Sequence, residues 1–412
     1  MPRSAPPFTL PRWVDPEAAF LHVFATGGDA FWLDAGREAP TGWSWMGSGR
    51  LDDASAPLQR DVAPAGGPTD DSGPFRGGWV GWRSYEGRDA WLRVAALVAF
   101  DHARRRVHVF GDADLAARVA AAPPPVTVGA AERRGMASGR VEPERYAELI
   151  GACRERIREG DAYQLCLTTR FTVPGRHDAV AVFRRLRQAS ASHHAGLIRI
   201  GGTTLVSSSP ERFLEVRDGR VHTHPIKGTR PRSTDPDRDR ALAEHLRADP
   251  KEQAENVMIV DLMRNDLSRV CDPSTVGVDR LLEVETYPTV HQLVSEVSGR
   301  LVPGTTIGGL LDAAFPAGSM TGAPKRSAIQ LLAGLEGEER GIYSGAFGWI
   351  GDDGAADLAM VIRSVVVEQD AAWVGAGGGI TWRSVAASEV AEVGIKARAP
   401  LAAMGAEVPP GW

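Results

Sequence analysis

Apolar residues in this chain fall into short, dense runs up to about residue 130 and into alternating strand-period and helix-period runs beyond about 140. Runs at 30–34, 43–46, 77–82 and 93–100 have the aromatic and β-branched density of half-buried strands. The run 107–110 follows a basic turn as hairpin partner of the last of these. Residues 52–75, rich in Ala, Pro, Gly and Asp, predict a long loop. Tryptophans 32, 43, 45, 79 and 82 predict ring packing in a β-rich core rather than a ligand cage. The weakly patterned segment 123–140, opened by three prolines, is the best boundary, dividing an N-terminal β-rich region (1–130) from a second region (141–400).

In the second region a helix is expected over 141–159, with Pro143 tolerated in its first turn and Gly160 as its stop. A strand over 161–171, a helix over 178–189 and strands at 195–200, 203–208, 212–217 and 220–224 follow. They lead into a loop, 223–232, that presents Lys227 between Pro225 and Gly228. Helices at 236–248 and 250–268 meet at Asp249-Pro250, an N-cap followed by proline at the first helical position. Next come a helix (306–313), a loop (316–324), a helix (325–334), strands at 343–350, 357–367 and 372–376, and a last helix (388–398). Helices alternating with antiparallel-looking strand pairs predict an α+β fold rather than a doubly wound parallel sheet.

At 412 residues and 43% hydrophobic composition the chain can bury a large core. A net charge of -5 argues against nucleic acid or an anionic membrane surface as the main partner. No run is long enough to span a bilayer, and the first residues lack the apolar core of a signal peptide, so a cytoplasmic protein is expected. Three cysteines without a CxxC spacing indicate neither a disulfide framework nor a zinc knuckle.

Charge becomes more informative when divided by residue type. Of 47 basic residues only Lys227, Lys251, Lys325 and Lys396 are lysine. An arginine-biased chain should keep lysine mainly where a compact amine is needed, although chance survival also accounts for some. Glu252 and Glu255 lie three apart near a helix start, which is also the pattern of a capping box with Asp249. Glu389, Glu392 and Lys396 share a face of the last helix, which is also the pattern of a solvated Glu-to-Lys pair. If the two Glu-x-x-Glu pairs converge, they make an oxygen-rich site suited to a hard divalent cation such as Mg²⁺. Glu211, at a strand end in Ser207-Ser-Ser-Pro-Glu-Arg212, becomes a general acid if burial raises its pKa. His291 is a lone histidine in an apolar strand, a setting in which core histidines are common. The glycine runs 318–325 and 375–379 have neither Walker nor dinucleotide-binding spacing, and read as loops able to cradle an anion.

The runs Ser208-Ser-Pro-Glu-Arg212, Pro225-Ile-Lys-Gly-Thr-Arg230, Glu255-Asn-Val-Met-Ile-Val-Asp-Leu-Met-Arg-Asn-Asp-Leu267, Gly318-Ser-Met-Thr-Gly-Ala-Pro-Lys325 and Gly377-Gly-Gly-Ile380 occur in one order. In them the region 141–400 resembles the chorismate-utilising enzymes, most of all the large subunits of the aminodeoxychorismate synthase branch. The resemblance implies packed antiparallel β-sheets with outer helices and an active site in a cleft. It implies Mg²⁺ on Glu255 and Glu392, backed through water by Glu252 and Glu389, gripping the ring carboxylate of chorismate. Tyr343, Arg363, the backbone at Gly377 and Gly379, and Lys396 resemble the carboxylate pocket. Glu211 resembles the acid for the departing C4 hydroxyl, with Thr229 and His291 lining the ring.

Two positions choose the reaction within the family. Gln164 stands where water-adding members carry a lysine base, which disfavours isochorismate or salicylate formation. Lys227 stands where anthranilate synthases have a small residue, and in the aminodeoxychorismate branch this lysine is thought to add to C2 and expel the C4 hydroxyl. The nearby His222, His224, Arg230 and Arg232 suggest positive surroundings that lower its pKa. No cysteine lies in a Gly-x-Cys-x-Gly elbow, so ammonia is expected from a separate glutamine amidotransferase subunit, and the product is expected to pass to a separate lyase. The alternatives are anthranilate synthase component I, aminating at C2 with loss of pyruvate, and a non-catalytic paralogue that binds an amidotransferase.

Overall fold

A computed structural model describes residues 7–37, 39–62, 71–190, 192–287 and 290–412. The fold is α+β, and all strand pairs are antiparallel apart from a short parallel bridge of 406–407 on 135–136. Its organising element is the strand Asp89–Asp101. Along one edge this strand pairs with Trp43–Leu51; on the other, its first half meets Gly78–Arg83 and its second half Arg106–Phe110. Two layers diverge from it.

One layer continues through Ala30–Asp34, His194–Ile200, Thr203–Ser209, Ser364–Val367 and Ala371–Ile380 to Gln164–Pro174. The other runs through Ala346–Gly351, Ala356–Met360, Arg212–Arg217 and Arg220–Thr223 to Val290–Arg300. Alternation along the strands separates two cores. Phe31, Leu33, Ile198 and Leu205 join Phe213, Val216, Val297 and Phe347 in one cluster, while Trp32, Leu197 and Val206 turn the other way. There they meet Phe20, Tyr146, Phe183, Val393 and Leu401 from helices covering the outer face. Trp32, Trp45, Trp79 and Trp82 are buried as expected, with Trp32 stacked on Phe20 at 5.2 Å.

Most predicted elements recur with shifted ends, as capping explains. Asp178, Asp235 and Asp249 each accept backbone N–H groups at the start of the helices Ala179–Ala189, Pro236–Ala248 and Pro250–Leu267. The last helix is longer than expected, Ala386–Ala403, and the expected strand 357–367 is split in two, with Arg363 at φ +53 in the break. The expected loop 52–75 contains no strand in its described part; residues 63–70 lie outside the described residues. A ten-residue strand, Gly277–Thr286, has no counterpart in the sequence reading.

Two expectations are overturned. Lys227 is not on a free loop. Ile226–Pro231 is an edge strand paired with Val290–Val294, broken by a bulge between Lys227 and Thr229. Gly228 makes that bulge at φ +78, where a Cβ would lie 2.7 Å from Leu246 and 3.0 Å from Glu252. Nor is 375–379 a loop: it belongs to the strand Ala371–Ile380, matched residue for residue with Gln164–Pro174. Its glycines leave room for neighbouring side chains. A Cβ on Gly375 would overlap the Tyr343 ring at 2.1 Å, and one on Gly379 would meet Gln164 Nε2 at 2.3 Å.

Candidate active site

The bulged strand carries Lys227 to the start of the helix Pro250–Leu267, where Asp249 and Pro250 fix the first turn. Glu255, one turn further on, is buried, with Lys227 Nζ 3.7 Å from its Oε2 and Lys251 Nζ 3.9 Å from its Oε1. The last helix brings in Glu389, also buried, whose Oε1 accepts a 3.2 Å hydrogen bond from Lys251. The two Glu-x-x-Glu pairs therefore do converge from separate helices. Glu252 stands 3.8 Å from Arg230; burial and the Glu255 charge push its carboxyl up. Glu392 is paired with Lys396 at 2.7 Å; burial opposes ionisation, but Lys396 and the other lysines overcome it and hold the carboxyl down. Lys396 also donates to the Gly377 carbonyl at 2.8 Å.

This donor set suits a hard divalent cation. All the donors are carboxylate oxygens, and Glu255 Oε1 is buried without a hydrogen-bond partner. The ammonium groups of Lys227 and Lys251 lie beside these carboxylates. Among the described residues, the group of His, Cys, Asp or Glu whose ligand atoms all fall within 4.8 Å of one another is instead His222, Asp279 and Glu296. There a 3.0 Å hydrogen bond from His222 to Glu296 already accounts for the closeness.

The surroundings of Lys227 are the reverse of the sequence reading. Burial opposes its charge, but Glu255, Glu211 and Glu252 outweigh burial and raise its pKa above the ordinary lysine value. The expected cations have acidic partners of their own: His222 and His224 beside Glu296, Arg230 beside Asp249 and Glu252, and Arg232 beside Asp239. Glu211 matches its expectation more closely. It is buried at the corner between two strands, and desolvation raises its pKa to about 7 against the opposing pull of Ser319, Lys227 and Lys396.

Tyr343 packs its ring against Gly375, and burial pushes its hydroxyl pKa up. Arg363 holds a left-handed backbone, and its guanidinium makes no hydrogen bond or close ion pair among the described residues; burial lowers its pKa. Tyr343 and Glu392 act on this cation from a distance, and neither closes a hydrogen bond with it. Gln164 is fully buried beside Gly379, and neither its Oε1 nor its Nε2 has a partner. That double orphan was not legible in the sequence beyond the absence of lysine.

Other candidates are drawn less directly into this group. Thr229 is exposed just beyond the bulge. Both ring nitrogens of His291 are engaged, by Thr286 at 3.0 Å and by Asp239 at 3.0 Å, so the residue ties the lysine-bearing sheet edge to the helix Pro236–Ala248. Lys325 donates to Asp266 at 2.6 Å and to the Ala314 carbonyl at 2.8 Å, a cross-link between helices. Gly318–Met320 is a short 3₁₀ turn, and Gly322–Ala323 pairs with the strand carrying Gln164, so this run is not a free loop either.

The chain belongs to the chorismate binding enzymes, whose family pattern matches residues 76–402. It is 48% identical over 261 residues to an aminodeoxychorismate synthase of Streptomyces pristinaespiralis, covering 63% of this chain and 36% of that protein. It is 37% identical to an aminodeoxychorismate synthase of Streptomyces griseus, covering 95% of this chain and 63% of the relative. With anthranilate synthase component 1 of Streptomyces coelicolor the identity is 36%, over 94% and 84% of the two chains. The chain thus spans less than two thirds of both aminodeoxychorismate synthases. Among solved structures, anthranilate synthase component I of Streptococcus pneumoniae superposes with TM-score 0.72 at 27% identity, over 96% of this chain and 92% of that one. The isochorismate synthase MenF of Escherichia coli shares the fold, with TM-score 0.77 at 18% identity over 97% and 93% of the chains. No helix among the described residues is long and apolar enough to cross a membrane.

Proposed function

We propose that this chain aminates chorismate at C4, giving 4-amino-4-deoxychorismate for 4-aminobenzoate synthesis. The observation that carries this reading is the single amine of Lys227, enclosed beside Glu255 and under the influence of Glu211. Chorismate would enter with its carboxylates toward Arg363, Tyr343 and Lys396. A divalent cation, most suitably Mg²⁺, would be held by Glu255 and Glu392 with Glu252 and Glu389 behind, and supplies positive charge to the ring carboxylate. Transfer of one proton from Lys227 to Glu211 readies both groups. The neutral amine adds to C2, both ring double bonds shift (C1=C2 to C1=C6 and C5=C6 to C4=C5), and the C4 hydroxyl departs as water with the proton from Glu211. Ammonia then adds at C4, both double bonds shift back, the C2–nitrogen bond breaks to release the neutral Lys227 amine, and the new C4 ammonium gives it one proton to restore the starting state. Overall, chorismate and ammonia give aminodeoxychorismate and water. Gln164 would offer its unpartnered amide to substrate or ammonia without the basicity needed to activate water.

Ammonia would come from a separate glutamine amidotransferase subunit, and the product would pass to a separate lyase. Incubation with chorismate, Mg²⁺ and ammonium, followed by chromatography, is expected to yield aminodeoxychorismate and no anthranilate. Fluorescent anthranilate formed without added lyase would support the second reading, C2 amination with pyruvate loss, which the similarity to the Streptomyces coelicolor protein favours. Absence of turnover would leave the non-catalytic paralogue.

Arg363 provides a separate check on the substrate pose. Arg363→Met is expected to raise the KM for chorismate roughly tenfold or more, the scale of a lost charge-assisted hydrogen bond of about 1.5–3 kcal/mol. Since this guanidinium makes no close ion pair among the described residues, only a longer-range attraction to Glu392, its removal should change the melting temperature little. An unchanged KM would place the carboxylates elsewhere.

A further inference from the structure

We infer that Lys251 is a built-in counter-cation of the carboxylate site: its ammonium fills the gap between Glu389 and Glu255 when no metal is bound, and leaves for solvent when a divalent cation enters. The inference rests on the reading that the converging glutamates hold such a cation.

Lys251 is the second residue of its helix, where a positive charge opposes the helix dipole. Its backbone N–H is already bonded to the capping Asp249, so capping explains nothing about its side chain. What holds the ammonium there is acid from both helices. Glu389 Oε1 accepts at 3.2 Å, Glu255 Oε1 lies at 3.9 Å, and Glu392 adds attraction from a distance. Both nearer carboxylates are buried, with side-chain exposures of 9% for Glu255 and 4% for Glu389, so without a cation each would repel the other in a poorly solvated space.

Exposure separates Lys251 from the other lysine on Glu255. Lys227 keeps 14% of its side-chain surface and sits behind the bulge, whereas Lys251 keeps 43% and lies at the rim. A flexible stem with an exposed flank can rotate outward without moving backbone. A lysine also suits a displaceable role better than arginine, whose planar fork would bind carboxylates in a fixed bidentate geometry. The same ammonium that keeps the empty site assembled must therefore compete with an incoming metal.

Two measurements test this on the intact chain without chorismate. Titration calorimetry with MgCl₂ is expected to show Lys251→Gln binding Mg²⁺ about two- to fivefold more tightly than the wild type, the scale of one partly exposed ion pair. Brief labelling with acetic anhydride, read by mass spectrometry, is expected to modify Lys251 several-fold faster with saturating Mg²⁺ than without. Lys325, tied to Asp266 and Ala314, serves as internal reference. No binding to the wild type overturns the metal reading itself. Wild-type binding combined with equal or weaker affinity in Lys251→Gln, or with unchanged Lys251 labelling, overturns this inference alone.

Discussion

Lys227→Ala is expected to lose C4 amination by at least roughly a thousandfold, about 4 kcal/mol on the barrier, while its far-ultraviolet dichroism stays that of the wild type. The side chain is the nucleophile of the proposed sequence, so nothing else in the pocket replaces the bond it makes to C2. The fold should persist because the bulge depends on Gly228 and on pairing with Val290–Val294, not on the amine. Mg²⁺ binding should persist as well, since Lys227 competes for Glu255 rather than holding the metal. Where ammonia still reacts, it should add at C2, the carbon the lysine would have taken, so any residual product should be the C2 amine. Mass spectrometry with chromatographic separation of the two isomers decides the matter. Near-normal aminodeoxychorismate from Lys227→Ala would eliminate the covalent role.

The electrostatics around this lysine mark where sequence reading stops. Its chain neighbours are basic, and they suggested a lowered pKa; its spatial neighbours are acidic, and the shift is upward. Strand geometry is the reason. Successive side chains leave opposite faces, and the bulge turns Lys227 toward a helix that begins more than twenty residues later. The prolines and Gly228 correctly signalled an unusual backbone, but they could not say that the segment pairs as a sheet edge, because that depends on the distant strand Val290–Arg300. The glycine run near 377 was misread for a related reason. Local composition says loop, while the space its glycines leave is filled by Tyr343 and Gln164 from elsewhere. The helix faces of Glu252, Glu255, Glu389 and Glu392 were legible from spacing alone. Their convergence was legible only through resemblance, and the ammonium between them not at all.

Glu211→Gln should remove the acid and, with it, a limb of the pH profile. Burial raises the Glu211 carboxyl from 4.5 to about 7 in the folded chain. The working pair holds one proton, on Lys227 at rest and on Glu211 when the hydroxyl leaves, so the doubly protonated pair is inactive and wild-type kcat/KM is expected to rise as pH rises through about 7. The glutamine variant should lose roughly a hundred- to ten-thousandfold in rate, and the residual activity should no longer show that rise near 7. Stability moves with the same proton. Because the folded pKa lies above the unfolded one, the protonated carboxyl's contribution is complete below about 4.5 and is lost as pH rises through about 7. Thermal melts should therefore favour Glu211→Gln over the wild type more at pH 8 than at pH 5. A glutamine variant that retained the rising limb near neutrality would assign the proton to another group. A variant with wild-type activity would show that the hydroxyl leaves without help from this carboxyl.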